Sequence, residues 1–248
     1  MTLILAAAHQ AGWLGQAIDL SVEWLLANAQ GLFDLIKVSV LALVSVTEMV
    51  LEWPPAWMFA LITAALGFWR VNGGFALFVL LGFNLVLSMA LWSEMIATLS
   101  LVITASGLAL LIGLPLGILS ARSRLVWRLV RPCLDLMQTM PAFVYLIPAV
   151  MLFSTGAVPS ILATLIFAMP PVVRLTHLGI IQVPDDLIEA GRSFGCSDRQ
   201  LLWKVQMPSA IPTVMTGVNQ TIMLSLSMVV IASMIGGGGL GDVVLRGI

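Results

Sequence analysis

The sequence predicts an all-α, polytopic membrane protein, and three observations lead to this fold class. Hydrophobic residues make up 60% of the 248 residues, whereas charged residues make up only 9%. A soluble domain carries about 25% charged residues, so the available charge could not cover this surface in water. The apolar residues also fall into runs long enough to cross a bilayer as helices. Lipid therefore replaces water around most of the exterior.

Six apolar runs are predicted to span the membrane as helices. Each is interrupted by few polar residues and is bounded by turn residues, charges or interfacial aromatic side chains. The predicted spans are residues 55–69, 73–92, 95–119, 133–153, 159–181 and 212–235.

The first 54 residues differ from the rest of the chain. Apolar positions recur at helical spacing between residues 14 and 51, but charged residues such as Asp34, Lys37 and Glu48 interrupt them. This pattern favours one or two amphipathic helices that lie along the membrane interface. The alternative, in which residues 36–51 form a seventh span, stays open.

Basic residues concentrate in the connections on one side of the six predicted spans. Residues 121–132 contain four arginines, and residues 182–208 contain two arginines and a lysine. The positive-inside rule makes this side cytoplasmic. Six spans then predict that the N-terminus lies outside the cytoplasm.

The connection 182–208 is far longer than the others and has helical character of its own. Gly195 is expected to end a first short helix by adopting the left-handed conformation. Ser197 or Asp198 is expected to cap a second short helix that ends at Pro208.

Leu201, Leu202 and Trp203 make this second helix too apolar for a solvated loop. Two interpretations are open. The pair of helices could enter a groove on another protein, or it could pack against the spans of its own chain.

The same connection reads Glu189-Ala190-Gly191, three residues, Gly195, nine residues and then Val205-Gln206-Met207-Pro208. It resembles the EAA loop of binding-protein-dependent ATP-binding cassette importers, which reads Glu-Ala-Ala, three residues, Gly, nine residues and Ile-x-Leu-Pro. All spacings match. A glycine replaces the second alanine, and Val205 and Met207 replace the isoleucine and leucine.

Four further segments are similar to permeases of the glycine betaine, proline and choline uptake systems; they are residues 114–123, 137–145, 170–176 and 219–231. The resemblance implies the type I importer permease fold and transport of quaternary ammonium solutes such as glycine betaine, choline or proline betaine. The alternative is an importer permease for another small polar solute, such as an amino acid. A secondary transporter is less favoured, because no mid-span acid is present to couple an ion.

The resemblance also implies the domain organisation. An amphipathic region (1–54) precedes two accessory spans (55–92) and a core permease domain (93–248) that contains the coupling loop at 182–208. Permeases of this group carry a further span after the glycine-rich turn, so the full chain is expected to continue with a C-terminal helix.

The implied partners are a second copy of the permease, two cytoplasmic ATP-binding cassette ATPases, an extracytoplasmic substrate-binding protein and the lipid of the bacterial inner membrane, with no nucleic acid. ATP and Mg²⁺ would bind the ATPase. This chain is therefore expected to be no enzyme, and to hold no cofactor, metal or catalytic residue.

On the same analogy the coupling loop docks on the ATPase, with Arg199, Leu201, Leu202 and Trp203 as the docking surface. The full set of coupling residues is Glu189, Ala190, Gly191, Gly195, Ser197, Asp198, Arg199, Leu201, Leu202, Trp203 and Pro208. Aromatic faces and polarizable side chains can hold a quaternary ammonium group, so candidates for the translocation path are Met140, Tyr145, Asn219 and Met223.

Overall fold

The computed structural model describes residues 28–247 together with Leu20 and Trp24, and this described part of the chain contains helices but no strand. The all-α fold class is thereby confirmed. In chain order the elements are α1 (Gln30–Glu52), α2 (Ala56–Arg70), α3 (Gly73–Ser88), α4 (Trp92–Arg122), α5 (Arg124–Thr139), α6 (Ala142–Phe153), α7 (Ala157–Ile181), α8 (Asp185–Ser193), α9 (Asp198–Leu201), a π-helix (Leu202–Gln206), α10 (Met207–Ser233) and α11 (Leu240–Arg246).

Three helical segments in the described residues are long and apolar enough to cross a membrane: α4, α7 and the continuous segment Asp198–Ser233, which contains α10. The pair α5 and α6 forms a fourth if a bent pair counts as one span. The first two predicted spans correspond to α2 and α3, which have 15 and 16 residues. At 1.5 Å per residue these helices are about 22–24 Å long, shorter than the ~30 Å hydrocarbon core.

The predicted span 133–153 is not one continuous helix. The axes of α5 and α6 differ by 100°. Pro141 explains the break, because a proline ring disfavours the helical conformation in the residue before it, and Met140 is extended at ψ 139°. The single O–H of Tyr145 lies within hydrogen-bond distance of two carbonyls, those of Met137 and Met140, the latter at 2.9 Å, and bonding to either one fixes this elbow.

Contacts with α7 hold α5 in this bent position. Asp135 of α5 forms an ion pair with Arg174 of α7. The ring of Trp127 stacks on His177 with centroids 3.9 Å apart, and Leu134 is almost fully buried beside them. Because the attachments lie along its length, α5 is part of the core and not a loose connection.

The centre of the fold is α7, which packs between α4 and α10. Small residues allow the helix backbones to approach closely, as is common in membranes. An added Cβ on Gly113 would lie 2.5 Å from Val172, and one on Gly117 would lie 2.6 Å from Thr176. An added Cβ on Gly217 of α10 would lie 3.0 Å from α7. These three glycines therefore set the spacing of the core.

The described part of the N-terminal region forms one helix, α1, which packs on the core. Val40 and Val44 are buried against α4 and α7, and the Ser100 hydroxyl donates to the Val44 carbonyl at 3.1 Å. The helix is not among those apolar enough to count as a span. Its interfacial orientation stays a prediction, and the residues before 28, apart from Leu20 and Trp24, lie outside the described residues.

Candidate functional site

The segment between α7 and α10 folds as a helical hairpin, here called the hairpin (residues 182–208). Its turn is built around Gly195, whose φ is +78°. The Gly195 N–H donates to the Arg192 carbonyl at 2.9 Å, and the Cys196 N–H donates to the Gly191 carbonyl at 3.1 Å. These are the two bonds of a left-handed helix C-terminus. The predicted role of Gly195 in ending the first helix is confirmed.

A capping box begins the second arm directly after this turn. The Ser197 Oγ accepts a hydrogen bond from the Gln200 N–H at 3.4 Å, and the Gln200 side chain accepts one from the Ser197 N–H at 2.9 Å. Ser197 is thus the cap, and Asp198 is the first residue of α9. The backbone groups that the two helix ends would otherwise leave unpaired at the turn are thus hydrogen-bonded. The turn therefore has one defined geometry.

Leucine side chains hold the two arms together and attach them to the spans. An added Cβ on Gly191 of the first arm would lie 2.7 Å from Leu201 of the second. Leu202 is 3% exposed and packs against Ile180 of α7 and Val214 of α10. Leu201 and Leu202 therefore pack inside the chain, which corrects the expectation that they face a partner.

The second arm does not end at Pro208, contrary to the prediction. The chain passes from α9 through the π-helix into α10, so that residues 198–233 form a continuous helical segment of 36 residues. The Met207 N–H donates to the Leu202 carbonyl, five residues back. This wider turn accommodates Pro208, which lacks an N–H and whose ring conflicts with regular helix. The hairpin and the spanning helix are therefore mechanically continuous.

Aromatic side chains project from the hairpin into its surroundings. Phe194 is 89% exposed and Trp203 is 57% exposed. The other predicted coupling residues that are exposed are Glu189, Ala190, Gly195, Ser197, Asp198, Arg199 and Pro208. The exposure of these two large aromatic side chains on a polar hairpin makes them candidates for contact with a partner, since Trp and Phe are enriched at protein interfaces. Phe194 was not predicted, although an aromatic residue just before a turn glycine in a polar loop is the signal that could have identified it.

The four predicted path residues lie on two separate surfaces. Met140 and Tyr145 line an apolar cavity of about 600 Å³ between α1, α6 and α7. The Tyr145 hydroxyl is already committed to the elbow carbonyls. Asn219 and Met223 are exposed on α10, on the side opposite to its contact with α7.

Comparison with known proteins identifies relatives over this same region. Residues 113–248 match the family described as binding-protein-dependent transport system inner membrane component. The match starts within α4 and includes the elbow, α7, the hairpin and α10. More than half of the chain, including every core element around the hairpin, is therefore similar to this family.

Two curated permeases are similar to the chain over nearly its whole length. The glycine betaine/proline betaine transport system permease protein ProW of Escherichia coli (strain K12) is 50% identical over 237 residues, which are 95% of this chain and 66% of ProW. The glycine betaine transport system permease protein OpuAB of Bacillus subtilis (strain 168) is 47% identical over 229 residues, which are 92% of this chain and 81% of OpuAB. The chain thus spans slightly less than two thirds of ProW.

A solved structure shares the fold. A chain of the MetNI methionine ABC transporter in an inward-facing conformation aligns with a TM-score of 0.53 at 23% identity, covering 59% of this chain and 74% of the MetNI chain. The predicted type I importer permease fold is therefore confirmed.

Proposed function

Since this chain belongs to the family of binding-protein-dependent transport system inner membrane components, we propose that it is the permease subunit of an ATP-driven importer for quaternary ammonium solutes. The proposed solutes are glycine betaine and related compounds such as proline betaine and choline. The names of ProW and OpuAB specify betaine transport, and their similarity extends over more than nine tenths of this chain.

The proposed assembly contains a second copy of the permease, two cytoplasmic ATP-binding cassette ATPases and an extracytoplasmic substrate-binding protein. ATP and Mg²⁺ bind the ATPases. The chain is a multi-pass inner-membrane protein, and we propose that its hairpin faces the cytoplasm and its N-terminus the outside. The exposed arginines at 122, 124, 128 and 131 support this orientation together with the basic residues of the hairpin.

The observation that carries the proposal is the hairpin itself. Its turn is fixed at both helix ends, its arms are packed together through Leu201, and its second arm continues into α10 without a break. A force on the hairpin is therefore transmitted to α10 and, through Leu202, to α7. Closure of an ATPase dimer around bound ATP would tilt these helices as rigid elements and switch the side from which the solute is accessible.

The proposed docking surface comprises three exposed side chains of the hairpin, Phe194, Arg199 and Trp203. Large aromatic side chains dominate the energetics of protein interfaces when a partner covers them. This surface replaces the one expected from the sequence, because Leu201 and Leu202 are buried within the hairpin.

Co-purification of the ATPase with an affinity-tagged permease tests the docking surface. Trp203→Asp and Phe194→Asp should each lower the ratio of ATPase to permease, since loss of an aromatic anchor costs about 2 kcal/mol or more, which is more than about tenfold in affinity. Trp203→Phe should retain the ATPase. Leu202→Asp serves as a contrast, because it should reduce the amount of folded permease instead. Undiminished ATPase binding by the Phe194→Asp/Trp203→Asp double variant would exclude this surface.

A further inference from the structure

The exposed half of α10 is divided lengthwise into a polar and an apolar strip. The buried half packs on α7 and α4. Successive residues turn by about 100° around a helix axis, so residues three, four and seven positions apart share a strip. The polar strip contains Ser209, Thr216, Asn219, Gln220 and Ser227 together with three apolar residues, Pro212, Met223 and Val230, and the apolar strip contains Ile211, Met215, Ile222 and Leu226.

The two amides of the polar strip lie well inside the spanning segment. The hydroxyls of the strip donate to their own helix, as Thr216 does to the Pro212 carbonyl at 3.0 Å and Ser227 to the Met223 carbonyl at 3.0 Å. Asn219 and Gln220 have no side-chain hydrogen bond to any residue that the structure describes, and both are exposed. An unpaired amide in hydrocarbon is strongly unfavourable, so this strip does not face lipid.

We infer that the polar strip of α10 lines a water-filled passage, and that Asn219, Gln220 and Met223 contact the solute as it crosses. The inference rests on the proposed function and adds to it the residues and the kind of solute. Residues 207–233 contain no charged side chain, so a solute with zero net charge crosses this strip at the lowest electrostatic cost.

Among the proposed solutes, the side chains of the strip match the betaines, which are zwitterions that join a methylated ammonium group to an anionic oxygen, and not choline, which lacks that oxygen. The amide N–H groups of Asn219 and Gln220 donate to the oxygen, and a hydrogen bond to a charged acceptor is stronger than one between neutral groups. The polarizable thioether of Met223 lies one turn from Asn219 and packs on methyl groups. The strip contains no aromatic ring or carboxylate, so the contacts are weak enough for the solute to leave.

Thiol labelling tests the passage without reference to the solute. Cys133 and Cys196 are first replaced by serine, and single cysteines are placed at Asn219, Met223, Ile222 and Leu226. In the assembled transporter in proteoliposomes, a charged, membrane-impermeant methanethiosulfonate should modify Asn219→Cys and Met223→Cys at least about tenfold faster than the other two, since thiolate formation requires water. Ile222 and Met223 are adjacent and so are matched in depth. Equal rates at these two positions, or faster modification of Ile222→Cys, would overturn the passage.

Uptake measurements test the solute contact. Asn219→Leu and Gln220→Leu should each lower glycine betaine uptake about tenfold, because one hydrogen bond to the charged oxygen is lost, while ATP hydrolysis stays within about twofold. Asn219→Gln should retain uptake. Wild-type uptake by Asn219→Leu would overturn the solute contact. If the unmodified protein takes up no glycine betaine, the proposed solute is wrong, and the labelling pattern still decides whether the strip lines a passage.

Discussion

Replacing Gly117 with leucine should remove most of the folded permease from the membrane. A Cβ at this position would lie 2.6 Å from the Thr176 Cβ and 2.9 Å from the Val173 carbonyl oxygen. Thr176 is fully buried, and the carbonyl belongs to the backbone, so neither atom can move unless α4 and α7 separate. Overpacking typically costs about 1–3 kcal/mol, and the two rigid neighbours place this variant at the upper end of that range. The monodisperse fraction in detergent and its apparent Tm report the loss.

Gly107 provides the matched control on the same helix. An added Cβ there meets no atom within 4 Å, and the position is exposed. Gly107→Leu should therefore leave both the yield and the Tm unchanged. Similar yields of the Gly107→Leu and Gly117→Leu variants would contradict the close packing of α4 on α7.

Replacing Gly195 with valine should uncouple ATP hydrolysis from uptake. A left-handed conformation costs about 1–2 kcal/mol in a residue with a Cβ, and a β-branched side chain tolerates it least. An added Cβ meets no atom within 4 Å, so the effect arises from the backbone and not from crowding. A turn that relaxes to another conformation loses both helix-end bonds and no longer moves as one piece. The number of solute molecules taken up per ATP hydrolysed should fall about tenfold.

Asparagine at the same position separates conformation from side-chain size. Asparagine adopts the left-handed conformation more readily than other residues with a Cβ, so Gly195→Asn should keep most of the coupling. Both variants should still co-purify with the ATPase, because Phe194 and Trp203 are unchanged. If the Gly195→Val variant keeps normal coupling, the rigid turn is not needed for transport.

Features that depend on local chemistry could be predicted from the sequence. The Gly195 turn and the Ser197 cap depend on residues within a few positions of each other, and both are present as expected. The apolar helices α4, α7 and α10 likewise follow from composition along the chain. In these cases the determining contacts are close in sequence.

Proline positions show where prediction from the sequence failed. Pro115, Pro148 and the pair Pro170-Pro171 lie inside continuous helices, whereas Pro141 ends one. The proline by itself does not distinguish these cases. What differs at Pro141 is tertiary: α5 is held against α7, notably through Asp135 and Arg174, so the chain must turn there to form α6.

The prediction that Leu201 and Leu202 of the hairpin face a partner was wrong for a related reason. The apolar character of Leu201 and Leu202 indicated that both must be covered, but not by what. Their partners include Gly191, ten residues earlier, and Ile180 on α7. Only the folded arrangement shows that these contacts are within the chain, which leaves Phe194 and Trp203 for a partner.

The central proposal, that this chain acts as a permease that relies on ATP hydrolysis by a partner, is tested most directly by uptake in a defined system. The permease is reconstituted in proteoliposomes with its ATPase and its substrate-binding protein, and radiolabelled glycine betaine uptake is measured with ATP on the ATPase side or with a sodium or proton gradient alone. We expect uptake to require ATP. Neither gradient should replace ATP or increase the uptake that ATP supports. Uptake driven by an ion gradient in the absence of ATP would contradict the account.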